Sequence, residues 1–101
     1  MKNKPLYFTE HQLERMSKRG ISKEVVKKVF ENGKWRKGKN PFSFEIEFKG
    51  IIIIVYENAV RYNVTTCKLN RENTIKAEKI KEELGVNFFV AMHKVVKELN
   101  L

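Results

Sequence analysis

The sequence predicts an α+β domain, and three observations carry that prediction. Helical spacing with clear start and stop residues fills the first third, β-branched and aromatic residues alternate from 42 to 68, and helical spacing returns from Asn70 onward. The architecture this implies is two N-terminal helices, a three- to four-stranded antiparallel meander sheet, and two C-terminal helices. At 101 residues the chain supports a single hydrophobic core, so residues 1–101 are read as one domain.

Each element has its own justification. Thr9 stands as an N-cap with Gln12 three residues on, the spacing of a capping box, and Phe8 with Leu13 occupies the positions of a hydrophobic staple. Gly20 supplies a left-handed stop, after which Ser22 caps a second helix, expected over Lys23 to Asn32. Val25, Val26, Val29 and Phe30 form its apolar stripe, and Gly33 ends it. Lys34 to Pro41 then reads as a short basic linker. Phe42, Phe44, Ile46 and Phe48 alternate with Ser43, Glu45 and Glu47, the pattern of an outer strand, and the unbroken apolar run Ile51 to Tyr56 suits a central strand buried on both sides. A third strand places Val60, Tyr62, Val64 and Thr66 on one face and Arg61, Asn63, Thr65 and Cys67 on the other, with turns at Lys49-Gly50 and Asn58-Ala59. Pro5 to Phe8 offers an extra edge strand. Thr74 to Leu84 and a helix capped by Asn87 complete the chain, and the stripe Phe88, Phe89, Met92, Val95, Val96 and Leu99 predicts that the last helix covers the sheet.

Composition narrows the function classes. The net charge is +9, and residues 1–40 hold twelve Lys or Arg against four Glu, while the remainder is nearly balanced. Such a lopsided positive field fits a polyanionic partner, nucleic acid first, although solubility or a Lys- and Glu-rich proteome accounts for it too. There is no Asp, so a two-carboxylate or magnesium site would have to be built from Glu alone, and the single cysteine, Cys67, has no companion at metal-ligand spacing, which argues against a disulfide and a structural zinc; with no phosphate-binding glycine loop either, no cofactor or metal is expected. Cys67 is expected to be a small buried or half-buried strand residue. No apolar run approaches a membrane span and MKNKPLYF lacks a signal-peptide core, so a cytoplasmic protein without membrane contact is expected.

The residues that bear chemistry cluster in the first helix. His11, Arg15 and Arg19 follow at i, i+4 and i+8 and make one stripe, roughly opposite Leu13 and Met16. His11 falls in the first turn, near the positive end of the helix dipole, which favours the uncharged ring a general base needs. The same stripe also fits a solvated face with Glu10 and Glu14 as ion-pair partners. Lys34, Trp35, Arg36, Lys37 and Lys39 interleave basic groups with an indole, the arrangement that grips single-stranded nucleic acid, unless Trp35 folds back onto the core.

The string FTEHQLERMSKRGISKEVVKKVFENG, followed by a strand pair closing in VRYNVTTCK, resembles the small bacterial domain family of unknown function catalogued as DUF 4258. The match rests on His11, Arg15, Arg19-Gly20-Ile21-Ser22, Gly33, the run Ile51 to Tyr56, and Thr65 or Thr66; it covers residues 1–70, and the helical extension 71–101 departs from it. That family is remotely similar to small toxins of the RelE and BrnT kind, which cleave RNA without a metal. The resemblance implies a metal-independent endoribonuclease of a toxin–antitoxin system, with an antitoxin or other protein as partner. In that reading His11 exchanges protons with the RNA, Arg15 and Arg19 hold the phosphate, Thr65, Thr66 or Arg61 completes the site, and Tyr62 or Trp35 stacks a flanking base. Two alternatives stand beside it. A non-catalytic nucleic-acid-binding module explains the charge equally well, and a protein-interaction subunit would expose Phe88, Phe89, Met92 and Val96.

Overall fold

The computed structural model describes residues 4–101. After a two-residue strand, β1 (Leu6–Tyr7), helix α1 runs over Glu10–Arg19. Its start is the expected one, since the Thr9 hydroxyl accepts from the Gln12 amide. The second half of a capping box is not made: Gln12 is buried, and its side-chain amide reaches the Cys67 sulfur at 3.8 Å instead. Gly20, at φ 74, closes the helix with a Schellman turn in which the Ile21 amide donates to the Met16 carbonyl. A side chain here would be strained by the backbone and would also meet His93, whose Cγ lies 2.8 Å from where a β-carbon would stand. Helix α2 (Lys23–Asn32) is capped by the Ser22 hydroxyl and buries Val25, Val26, Val29 and Phe30, the four residues of the expected stripe.

The sheet departs from the expected meander at both edges. Lys34–Lys37 is not a linker but a strand, β2, antiparallel to β3 (Ser43–Phe48), so β3 is an inner strand and not an outer one. Alternation explains it: Trp35 packs against the core, while Lys34 and Arg36 point to the other face and Arg36 bonds Glu45 and Glu47 of β3. At the opposite edge β1 pairs with β5 (Tyr62–Leu69) in parallel, through Leu6 with Tyr62 and Tyr7 with Asn63. The result is a mixed five-stranded sheet in the order β1-β5-β4-β3-β2, with β4 (Ile51–Glu57) central as its apolar run predicts. Lys49 and Gly50 both take positive φ in the β3–β4 turn, as a two-residue hairpin of the favoured twist requires. The next turn spans Asn58 to Arg61, where the Asn58 side chain accepts from the Val60 and Arg61 amides, so Val60 is an exposed turn residue and not part of the strand.

A bulge in β5 changes which residues face the helices. Val55 pairs with Val64 and Ile54 with Thr66, leaving Thr65 over, and its hydroxyl donates to the Ile54 carbonyl at 3.1 Å. Strict alternation assigns Cys67 to the polar face with Thr65; the extra residue shifts the phase, so Cys67 and Leu69 join Tyr62 and Val64 in the core and Thr66 goes to the opposite side. The core therefore lies between one face of the sheet and α1 with α2, built from Met16, Ile21, Val26, Val29, Ile46, Ile51, Ile53 and Val55 among others.

Helix α3 (Arg71–Leu84) starts three residues earlier than its spacing predicts, because Asn70 caps it, and helix α4 (Phe88–Glu98) follows its Asn87 cap. These helices form a hairpin that docks α4 against α1 and does not cover the sheet as expected. His93 anchors the joint, with Nε2 donating to the Lys18 carbonyl at 2.8 Å. Met92, Val95 and Val96 are buried there. No helix among the described residues is long and apolar enough to cross a membrane.

Candidate nucleic-acid interface

Because β1 pairs only as far as Asn63, β5 has no strand neighbour on that side from Val64 onward among the described residues. Helix α1 packs along this length. The Arg19 guanidinium donates to the Cys67 carbonyl at 2.8 Å, so one member of the basic stripe is spent on a strand edge that β1 leaves open. Arg15, one turn back, is half-buried, and its charge acts together with that of Arg19 on the Cys67 thiol. Burial pushes that thiol up to about 11, and the Gln12 contact and the two guanidinium groups only partly offset the loss of water. Cys67 is thus a neutral core group and not a nucleophile.

His11 is exposed at the N-terminal end of the stripe and makes no hydrogen bond among the described residues. Thr65 and Thr66 sit on the bulge of the same strand that Arg19 grips, Thr65 exposed and Thr66 half-buried. The stripe and the last strand are therefore brought together, with Arg19 bonded to β5 at Cys67, next to the bulge residues Thr65 and Thr66, and Arg15 beside it.

The basic strand and the nominated rings fall apart from this flank. Lys34, Arg36, Lys37 and Lys39 are exposed, with Arg36 engaged by Glu45 at 2.9 Å and by Glu47 at 3.5 Å. Trp35 folds back, its ring 5.3–5.5 Å from those of Phe30, Phe44 and Tyr62. Tyr62 is only 1% exposed. The expectation that Tyr62 or Trp35 stacks a base is therefore corrected: these rings pack edge-to-face in the core, where no base can reach Tyr62 and Trp35 is held by three neighbours.

Other rings are exposed instead, on the face of the sheet opposite α1 and α2 and at the end away from α3. Tyr7 and Tyr56 are each 40% exposed and Phe42 is 58% exposed. Register places Tyr7, Asn63, Tyr56 and Ser43 in one row across β1, β5, β4 and β3. Arg61 lies over the Tyr7 ring at 3.7 Å, and Phe42 meets Tyr56 edge-to-face at 6.3 Å. Sequence reasoning placed Tyr56 in a doubly buried strand and Phe42 in the core. One signal was available for Tyr56, since it continues the phase of Ile52 and Ile54, opposite to Ile51, Ile53 and Val55; nothing local marked Phe42, which precedes the strand and follows Pro41.

The apolar stripe of α4 is half consumed. Met92 and Val96 are buried against the other helices, leaving Phe89 and Val90 exposed beside His93, so the patch that a protein-interaction role requires is reduced. No family model matches the sequence, and comparisons with curated proteins and with solved structures return no match.

Proposed function

We propose that the protein binds RNA along the flank formed by α1 and β5, using His11 and Arg15 with the exposed Thr65, and that it belongs with the DUF 4258-like domains its sequence resembles. The observation that carries this reading is the Arg19 bond to the Cys67 carbonyl, which fixes the register between the basic stripe and the last strand and leaves Arg15 and His11 without such a structural duty. The +9 net charge supplies long-range attraction for a polyanion. Binding asks only for a positive surface with hydrogen-bond donors, which Arg15, His11 and Thr65 supply on this flank.

A second reading, metal-independent RNA cleavage by a toxin-like domain, is favoured by one specific observation: an exposed imidazole with no hydrogen-bond partner stands on the same helix stripe as two guanidinium groups, one of them, Arg19, bonded to the strand. In that chemistry His11 would take the 2′-hydroxyl proton while Arg15 holds the phosphate. One experiment tests both readings. Purified protein is incubated with total RNA in excess chelator, beside His11→Ala and Arg15→Ala, with binding and cleavage read together. Binding that weakens with salt and with Arg15→Ala supports the first reading. Cleavage leaving cyclic phosphate ends, lowered about 10²–10⁴-fold by His11→Ala, establishes the second. Absence of any RNA binding by the unaltered protein refutes both.

A further inference from the structure

The face of the sheet opposite α1 and α2 carries aromatic rings that the core does not use, and they are ordered by strand register. Tyr7 and Tyr56 flank Asn63 in one row, which puts them two strand spacings, about 10 Å, apart. Each ring is presented and backed: the Arg61 guanidinium lies on Tyr7, and Phe42 props Tyr56 from the side. Phe42 and Tyr56 also border a cleft of about 410 Å³ with Lys4, Glu57 and Asn58, in which Lys4 is fixed by Glu57 at 2.6 Å. Beside Phe42 the β2–β3 connection bears Lys39, which is exposed.

We infer that this face is a stacking platform for the bases of single-stranded RNA, with Tyr56 and Tyr7 taking two bases and Arg61 and Lys39 meeting the backbone between and beside them. The inference rests on the reading of the protein as an RNA binder and extends it to a second surface. Spacing and the Arg61 cation select this occupant over a protein: Tyr7 and Tyr56, separated by Asn63, offer separate π-surfaces to bases with a guanidinium beside them for a phosphate, and the carboxylates Glu45, Glu47 and Glu57 are already engaged by Arg36 and Lys4, whereas a docking protein segment would need a continuous apolar patch. The chemistry is tolerant of sequence, because every base has a stacking face, and it demands unpaired bases, because a duplex hides them.

The test is a fluorescence titration with a short single-stranded oligouridine and with an RNA hairpin of similar charge, on the unaltered protein and on Tyr56→Ala, Tyr56→Phe, Phe42→Ala and Arg15→Ala. Loss of the Tyr56 ring weakens single-strand binding about tenfold, while Tyr56→Phe, which keeps the ring, stays near the unaltered protein and hairpin binding is unmoved. Circular dichroism of the alanine variants checks that they remain folded. Single-strand binding that is indifferent to both Tyr56→Ala and Phe42→Ala overturns the platform while leaving the flank intact. Weakening by Tyr56→Ala with no response to Arg15→Ala does the reverse, removing the flank and keeping the platform. An unaltered protein that binds neither RNA removes both.

Discussion

The two faces of the sheet are made by neighbouring residues of the same strands, yet they have opposite characters. On the covered face β4 contributes Ile51, Ile53 and Val55, sealed beneath α1 and α2, and a ring cluster of Phe30, Trp35, Phe44 and Tyr62 closes the β2 side. On the other face the same strand contributes Ile54 and Tyr56, next to Asn63, Glu45 and Ser43. Burial on the first face is set by packing of apolar volume; exposure on the second is permitted because antiparallel strands need only one buried face. The lesson is that an aromatic residue in this chain acquires its role from register, not from the charges beside it in sequence. Trp35, between two basic residues, is structural, and Tyr56, in an aliphatic run, is presented to solvent.

Substitution of matched rings should separate the faces. The largest effect is expected for Tyr62→Ala, which empties a fully buried ring site and should lower unfolding free energy by about 3–5 kcal/mol in chemical denaturation. A pH titration of stability gives the next effect. Because the buried Cys67 thiol titrates near 11 against 9.0 ordinarily, the unfolded chain gives up this proton first as pH rises, so the contribution is intact below about pH 9 and is lost by about 11, a decline of about 2–3 kcal/mol at its limit. Cys67→Ala should flatten that part of the stability profile. Arg19→Ala should cost about 1.5 kcal/mol by removing a charged donor from the Cys67 carbonyl, whereas Arg15→Ala should leave stability within about 0.5 kcal/mol and act on RNA affinity and its salt dependence. Phe42→Ala is likewise expected to change stability little, by under about 1 kcal/mol, since its ring is mostly solvated. A large loss of stability there would erase the contrast between the faces.

Much of the fold was legible in local chemistry. The caps at Thr9, Ser22 and Asn87 and the stops at Gly20 and Gly85 act within a few residues, so sequence spacing reports them, and Ile51 to Val55 declared a central strand through unbroken aliphatic character. What failed to show was non-local. Lys34–Lys37 becomes a strand only because Glu45 and Glu47 of β3 await Arg36 and the core awaits Trp35. The bulge at Thr65 shifts the strand phase through a ladder irregularity that leaves no sequence mark, and it moved Cys67 from the polar face to the core. The stripe of His11, Arg15 and Arg19 was visible as spacing, but its division of labour depends on where β1 stops pairing. Docking of α4 on α1 depends likewise on Gly20 making room for His93, a contact between residues seventy-three apart.

The central claim is that RNA meets the face bearing Tyr7 and Tyr56 and the α1–β5 flank, and backbone amide chemical-shift mapping of the isotope-labelled protein with single-stranded RNA tests it most directly. Perturbations should gather at Tyr7, Tyr56, Arg61 and Asn63 and at His11 and Arg15, sparing the buried Tyr62 cluster and the α3–α4 hairpin. Shifts confined to α3 and α4, or a spectrum unchanged by RNA at saturating concentration, would contradict it.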